Sequence, residues 1–327
     1  MIFNQWYAIL ESSEVKKGKL LGVIRFGEKL LFWRTHEGEI ACIKDRCAHR
    51  GAALSKGKLV SNSQEVQCPF HGLHFDRTGK CTIIPSRGEK AFIPSNFKVE
   101  SYYIREAHNF IWIWWGIPQD RYPDIPWFDD VDDKFHYYTL KDPWKTHYSR
   151  CIENQLDVSH LWIVHHNTIG RGNKKVSDGP YVDFSDNLEK VWVTNRKENG
   201  NVSILPSEIE KPPHPSLVQF KFPNMWQNKF SDVARIIIAF APVDEENTIL
   251  YLRFIHKMTR IPILRGIISI VGRYFSKIIA HQDRRVVETQ LPKITAYKME
   301  DGDNLFPADY PIVIYRRIRD EMKKRKI

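Results

Sequence analysis

The sequence predicts an α+β protein with two domains, an all-β N-terminal domain and a larger domain in which helices grip a curved antiparallel sheet. Short segments that alternate β-branched or aromatic residues with polar ones run from Trp6 to about Gly116. Longer strand-like segments and one long helical pattern come later in the chain. Between these regions, GIPQDRYPDIPWFDDVDD contains three prolines and five aspartates after Tyr122. Few contacts should cross such a segment, so we expect domains at 1–118 and 119–327.

The composition is that of an ordinary globular protein. Hydrophobic residues make up 42% and charged residues 27% of the 327 residues. The five cysteines show no spacing typical of a disulfide framework, which favours a reducing compartment. The first residues, MIFNQWYAILESSEV, lack a basic segment followed by an apolar core. We therefore expect a cytoplasmic protein.

The net charge of +10 raises the question of a nucleic-acid partner. No basic stripe interleaved with aromatic residues is apparent, so we expect none. The basic C-terminal segment RRIRDEMKKRKI is interpreted as a solvated surface with a frayed helical end. A basic surface would instead speed the encounter with an acidic electron-carrier protein.

Strands and helices of the second domain follow from the hydrophobic pattern. The segment from Pro143 to His166 is interpreted as a helix, four strand-like segments follow, and a long helix is predicted from about Ile263 to Gln290. Ile261 to Ala280 is rich in isoleucine, but three cations lie near one side of the predicted helix, which argues against a membrane span. We expect this helix to pack its apolar face on the core rather than on a membrane surface, and expect no membrane partner.

Two Cys-plus-His pairs stand in the stretch from Asp45 to Phe75. Cys47 is followed by His49 and, after 18 intervening residues, Cys68 by His71. Glycines allow tight loops beside each pair, so two loops can face each other around a metal. The alternation suits a [2Fe-2S] cluster with both thiolates on one iron and both imidazoles on the other, a Rieske centre. Zinc also accepts two sulfurs and two nitrogens, although zinc fingers usually group their cysteines before their histidines.

A second constellation lies in NQLDVSHLWIVHH. Asn154, Asp157 and His160 are spaced by three and would share one face of a helix. His165 follows five positions after His160, a rotation of about 140° on an ideal helix. Both imidazoles can therefore point at one atom only if the helix is underwound there, as in a π-bulge, or ends there. His166 is the alternative to His165, and a buried helix with merely hydrogen-bonded histidines is the alternative to a metal site.

Two histidines and one carboxylate form the facial triad that holds non-haem Fe(II) while leaving positions open. The carboxylate should be distant in sequence. We choose Asp283, in AHQDRRVVETQ near the end of the long helix, with Glu288 and Asp157 as competitors.

Together the two motifs resemble the Rieske non-haem iron aromatic-ring-hydroxylating oxygenases, α-subunit, and more narrowly their vanillate O-demethylase-like monooxygenases. CxHRG…CPxHGxxF covers the first stretch and NxxDxxHxxxxH the second. The resemblance implies a cluster on the first four ligands and a mononuclear iron on His160, His165 and Asp283. It further implies that Asp157 bridges the cluster of one subunit and the iron of its neighbour in a head-to-tail homotrimer, and that Asn154 lies close to the iron.

The expected function is that of a terminal oxygenase component, which uses O₂ and electrons to hydroxylate or oxidatively demethylate a small organic substrate. A separate reductase or ferredoxin must donate the electrons, because no GxGxxG nucleotide-binding element is present. Met225, Trp226 and Phe240 are candidate pocket residues, or plain core. The alternatives are a cis-dihydroxylating dioxygenase, a Rieske electron-transfer protein without oxygenase activity, and a zinc-stabilised binding module.

Overall fold

The chain forms two compact units. A computed structural model describes residues 1–60, 64–295 and 303–325. One unit is Asn4–Ile125, and the other combines Met1–Phe3 with Pro126–Ile327.

The first unit is built from short antiparallel strands, as the sequence predicts. Its described residues form three small sheets, ordered β1-β10-β9, β2-β3-β4 and β5-β6-β7-β8. Buried aromatic and branched residues of the first two sheets form one hydrophobic core. The Cys47–Ala52 loop follows β4 of the second sheet, and the Cys68–Leu73 loop joins β6 to β7 of the third. The strands are β1 Gln5–Glu11, β2 Leu20–Arg25, β3 Glu28–Arg34, β4 Ile40–Lys44, β5 Lys58–Leu59, β6 Val66–Gln67, β7 His74–Phe75, β8 Cys81–Ile83, β9 Ile104–Ala107 and β10 Phe110–Trp115.

The second unit contains one large sheet with helices packed on it, so the predicted α+β architecture is confirmed. Seven antiparallel strands follow the order β11-β17-β16-β15-β14-β13-β12. The strands are β11 His136–Trp144, β12 Val176–Ser185, β13 Leu188–Arg196, β14 Val218–Lys221, β15 Met225–Asn228, β16 Ala234–Pro242 and β17 Thr248–His256. The helices are α1 Tyr148–Leu156, α2 Leu161–Val164, α3 Pro262–Val287 and α4 Tyr310–Lys324.

The prediction of a single helix from Pro143 to His166 is wrong. β11 continues to Trp144, and the chain breaks between α1 and α2, where Asp157 adopts an extended conformation (φ −68°, ψ 124°). The Asp157 side chain causes the break, because its Oδ1 accepts hydrogen bonds from the Ser159 and His160 backbone N–H groups at 2.7 and 3.3 Å. Such local bonds from an aspartate compete with the helical backbone pattern. Asp157 and His160 therefore do not share a helix face with Asn154.

The long helix α3 forms as predicted, but its orientation is the reverse of the expected one. The residues it buries against the sheet and α1 are small or polar for the most part: Ser269, Ser276, Ala280, Asp283 and Val287. Polar contacts also hold it, since His256 Nε2 lies 2.9 Å from Ser269 Oγ and Arg284 donates to Asp142 at 2.7 Å. Several of its large apolar residues, among them Ile263, Ile270 and Tyr274, are exposed instead. No helix among the described residues has the length and apolar character needed to cross a membrane.

The basic C-terminal segment is not simply a solvated surface, so that interpretation is wrong for part of it. Arg316 and Arg319 of α4 are buried. Arg316 donates to both carboxylate oxygens of Glu153 in α1, at 2.9 and 2.8 Å, and to Asp303 at 2.6 Å. Arg150 reaches the same two carboxylates, so a buried network of ion pairs joins α1 to α4.

Candidate metal centres

The two loops that carry the Cys-plus-His pairs have the same backbone hydrogen bonds. The Cys47 N–H donates to the Ala52 carbonyl and the Gly51 N–H to the Cys47 carbonyl, at 2.8 and 2.9 Å. In the second loop, Cys68 and Leu73 are joined at 2.8 Å, and Gly72 and Cys68 at 3.2 Å. Both glycines have a φ of +73°, which favours glycine at this position of each loop. The two loops therefore match in length and closure, although His49 stands two residues after Cys47 and His71 stands three after Cys68.

The four side chains of these loops are layered by type. Cys47 and Cys68 are buried, whereas His49 and His71 are exposed and their ring centroids are 4.6 Å apart. Burial, together with the neighbouring Cys68 thiol, raises the pKa of Cys47 to about 11. A thiolate at this position therefore needs a cation to stabilise it. The arrangement fits a cluster with an inner iron on sulfur and an outer iron on nitrogen.

The same geometry argues against a single zinc ion at these loops. Four ligands of one tetrahedral zinc lie roughly 3.3–3.8 Å from one another, as zinc–ligand bond lengths require. In the part of the chain that the structure describes, no three of these four side chains bring their donor atoms within 4.8 Å of one another. A two-iron cluster spreads its ligands in this way.

A second group of donors converges in the other unit. His160, His165 and Asp283 are the one set of three or more candidate ligands in the described ranges with all donor atoms within 4.8 Å of one another. Asp283 Oδ1 lies 2.9 Å from His165 Nε2 and 3.5 Å from His160 Nε2. This oxygen is buried and has no hydrogen-bond partner, although two nitrogens surround it. A buried unpaired oxygen facing two imidazole nitrogens is what a metal ligand set requires.

The electrostatics of this group also call for a cation. Burial alone would lower the pKa of His160, but the carboxylates of Asp157 and Asp283 raise it to about 10. Burial would raise the pKa of Asp283, yet the two imidazoles lower it to about 2. The two carboxylates thus hold a positive charge on His160, and a divalent cation on the three donors would replace that proton.

The competing ligands lie elsewhere. Glu288 Oε1 accepts a hydrogen bond from the Lys145 backbone at 2.8 Å. The His166 ring is exposed, and its Nδ1 lies 3.0 Å from the carbonyl oxygen of Ile163. Asp157 Oδ2 lies 3.4 Å from Nδ1 of His160, on the ring edge opposite to the converging donors. Asp157 therefore orients His160, while its partial exposure leaves it accessible from outside the site.

Two glutamines that the sequence did not indicate also support the site. Gln282 Oε1 accepts a hydrogen bond from His165 Nδ1 at 2.8 Å, and it is held by Thr168 Oγ1 at 3.0 Å. This bond leaves Nε2 of His165 free to bind a metal. Gln155 donates to the second oxygen of Asp283 at 3.3 Å. Neither residue type binds iron by itself, so only its position next to a ligand in the sequence could have indicated a role.

Replacing Gln282 with leucine should weaken Fe(II) binding by about 10–100-fold, because His165 loses the partner that fixes its ring and tautomer. Competition with a chromophoric chelator on the reconstituted protein measures this affinity. Gln290→Leu, on the exposed chain just beyond α3, is the control and should leave the affinity unchanged. Equal Fe(II) affinities for the two variants would contradict the role of Gln282.

A cavity of about 720 Å³ leads from the three donors to the surface. Sheet residues of β15, β16 and β17 form one wall and α3 forms another. Trp226 lines it, whereas Met225 and Phe240 do not, so only one of the three candidate pocket residues is confirmed. Asn154 also lines it, and its amide nitrogen is buried without a hydrogen-bond partner. Apart from His160, the charged side chains on its wall, among the described residues, are Asp157 and Asp283, and no lysine or arginine lines it.

A β domain with a mixed Cys/His cluster site, followed by a sheet-and-helix domain with a two-histidine, one-carboxylate site, defines the class of two-centre iron oxygenases. Residues 5–102 match the family described as the Rieske [2Fe-2S] domain. Residues 144–325 match the vanillate O-demethylase oxygenase C-terminal domain. The chain therefore belongs to the Rieske non-haem iron oxygenase family. The cofactors of this family are a [2Fe-2S] cluster and Fe(II), and the two donor sets fit them.

Curated proteins and solved structures agree with this assignment. The chain is 25% identical over 307 residues to methylxanthine N3-demethylase NdmB of Pseudomonas putida, covering 88% of this chain and 81% of that protein. It is 26% identical over 228 residues to protein TIC 55 of Arabidopsis thaliana, covering 69% of this chain and 40% of that protein. The chain spans less than half the length of several curated relatives. The structure of Pseudomonas putida NdmA with caffeine has the same fold, with a TM-score of 0.79 at 22% identity over 98% of this chain and 91% of that one.

Proposed function

We propose that this chain is the terminal oxygenase component of a Rieske-type system that monooxygenates a neutral, largely apolar organic substrate. Cys47, His49, Cys68 and His71 would hold the [2Fe-2S] cluster, and His160, His165 and Asp283 would hold Fe(II). The observation that carries the proposal is the position of the three donors at the inner end of an apolar cavity. A pure electron-transfer protein would have no use for either feature.

When bound, Fe(II) supplies the redox chemistry that activates O₂, and the cluster supplies electrons one at a time. The reaction then consumes O₂, two electrons and two protons, converts one C–H bond to C–OH, and releases water. On an O- or N-methyl group, the hydroxylated product collapses to formaldehyde and the demethylated compound. The apolar wall excludes bulk water, and the free amide N–H of Asn154 can donate to a polar substrate atom near the metal.

The lining of the cavity supports an uncharged substrate. A carboxylate or sulfonate needs a cationic partner when it is buried, and away from the metal donors no lysine or arginine lines the cavity to supply one. Among the relatives, NdmB is named for methylxanthine and TsaM2 of Comamonas testosteroni for toluene-4-sulfonate, so the proposed substrate charge rests on the lining alone.

A reductase or ferredoxin would donate the electrons, and we propose a cytoplasmic homotrimer as the working form. In such a trimer the cluster of one subunit would reduce the iron of the next, with Asp157 bridging the two centres. The accessible Asp157 carboxylate, already next to His160, supports this role. A molar mass near three times 38.5 kDa in light scattering is the expected result.

The test is aerobic turnover with an electron-donating reductase and matched substrate pairs. Each pair consists of a neutral O-methyl or N-methyl aromatic compound and its carboxylated analogue. We expect substrate-dependent O₂ uptake and formaldehyde from the neutral members, with KM at least about tenfold lower than for the carboxylated ones. Preference for the carboxylated members would overturn the proposed substrate charge. No product from any compound, with cluster and Fe(II) both present, would overturn the oxygenase function, and a cis-diol product would favour dihydroxylation.

A further inference from the structure

The outward face of α3 carries large apolar residues that nothing in the described chain covers. Ile263, Ile270 and Tyr274 are 76%, 61% and 64% exposed. A surface helix of a globular protein normally turns such residues toward the core. Here the fully buried residues of the helix are mostly small or polar, while these large apolar residues lie in solvent. Contiguous exposed apolar surface of this kind marks a site of interaction.

This face is continuous with the mouth of the cavity. Ile267, Val271 and Phe275 are spaced by four along α3, so they lie on one side of the helix. All three are exposed and all three line the cavity. Phe230 and Met258, from the sheet side, are likewise both exposed and part of the lining. A ligand that enters the cavity must therefore pass between apolar side chains that belong to the exposed face.

The charged residues of the chain segment that carries this face all have one sign. The segment from Lys257 to Gln282 contains five lysines and arginines and no aspartate or glutamate. Arg260, Arg273 and Lys277 are exposed, and the latter two lie along α3 at the edge of its apolar face. Cations beside an inserted apolar face are typical of helices that lie in the headgroup region of an anionic bilayer.

We propose that the outward face of α3 docks on an anionic lipid surface, so that an apolar substrate passes from the bilayer into the cavity. The docking rests on exposure and charge alone, whereas the passage of substrate rests on the proposed function. A bilayer suits this surface better than a symmetric contact with a second copy of the chain. A symmetric contact would place one cation-rich, carboxylate-free face against another, and the like charges would repel.

Flotation of the full-length, metal-loaded chain with lipid vesicles tests the docking. Vesicles of phosphatidylcholine alone are compared with vesicles of about three parts phosphatidylcholine to one part phosphatidylglycerol. We expect binding to the anionic vesicles that weakens as salt is raised, since salt screens the charge attraction. The double variant Ile263→Glu/Ile270→Glu should bind at least about tenfold more weakly, because two charged groups would enter the apolar layer. Neither residue lines the cavity, and both are exposed enough for the substitution to leave the fold intact.

The matched control is Phe92→Glu/Val202→Glu, which makes the same change in net charge at two exposed apolar residues far from α3 in the sequence. Its affinity for the anionic vesicles should stay within about twofold of that of the unchanged chain. Equal vesicle binding by the two double variants would overturn the assignment of the surface to α3. Failure of the unchanged chain to float, with normal turnover of a water-soluble substrate, would overturn the docking and leave the oxygenase function standing. A smaller oligomer for the α3 variant alone, without vesicle binding by the unchanged chain, would assign this face to a second copy.

Discussion

Replacing Asp283 with alanine is expected to remove the mononuclear iron and leave the cluster in place. Asp283 supplies the one carboxylate of the three converging donors, and it is 3% exposed, so water cannot easily take its place. Iron content should fall from about three to about two per chain, with inorganic sulfide unchanged. Turnover should fall by more than about 100-fold, since even the loss of a group that only orients a ligand costs 10–100-fold.

The control for this variant is Glu288→Gln on the turn after Asp283. Glu288 is the competing carboxylate closest to Asp283 in the sequence, and its side chain binds the backbone of Lys145 rather than the donors. An amide oxygen can accept the same hydrogen bond, so this variant should keep its iron and its turnover. If Asp283→Ala retained full iron and activity, while Glu288→Gln lost them, the ligand assignment would be wrong.

Replacing Glu153 with alanine is expected to lower the free energy of unfolding by about 3–5 kcal/mol, because it leaves buried cations without their main partner. Glu153 is buried in α1 and binds Arg316 of α4 through both oxygens. Thr295 also donates to it at 2.6 Å. After the substitution Asp303 would be the carboxylate that Arg316 and Arg150 still share. Urea unfolding of the metal-loaded chain, followed by tryptophan fluorescence, measures the loss.

An exposed ion pair in the same unit provides the comparison. Asp183 lies 3.9 Å from Lys211, and both side chains are well exposed. Asp183→Ala should lower the free energy of unfolding by less than about 1 kcal/mol, because solvent screens the pair. If Glu153→Ala lowered the free energy of unfolding by as little as Asp183→Ala, the network of ion pairs would contribute little to the stability of the unit.

The cluster site could be predicted from the sequence because its geometry is local. Each pair of ligands stands in one loop, and that loop closes through hydrogen bonds between residues four or five apart. The triad was only partly predictable. His160 and His165 are close in the sequence, but the turn that brings them together depends on the side chain of Asp157, which a helical spacing rule does not include.

Contacts between distant residues account for the remaining errors. The basic segment before the C-terminus looked solvated because the partner of Arg316 lies 163 residues earlier in the chain. The orientation of α3 was misjudged because its isoleucines suggested a core-facing side. Small residues occupy that side instead, and at Gly272 an added Cβ would lie 2.2 Å from the Phe254 ring. Close packing thus determined the inner face of the helix, which hydrophobicity alone does not predict.

The unusual inner face of α3 links iron loading to the integrity of the fold. A helix that buries serines, an alanine and a carboxylate gains little hydrophobic free energy from its contact with the sheet. Its attachment therefore depends on polar contacts, among which an ion shared by Asp283, His160 and His165 would be the strongest. Because an ion bound only by the native state adds to its stability, chelation should loosen this helix before the sheet melts. Iron would thus serve as a structural cross-link as well as a reagent.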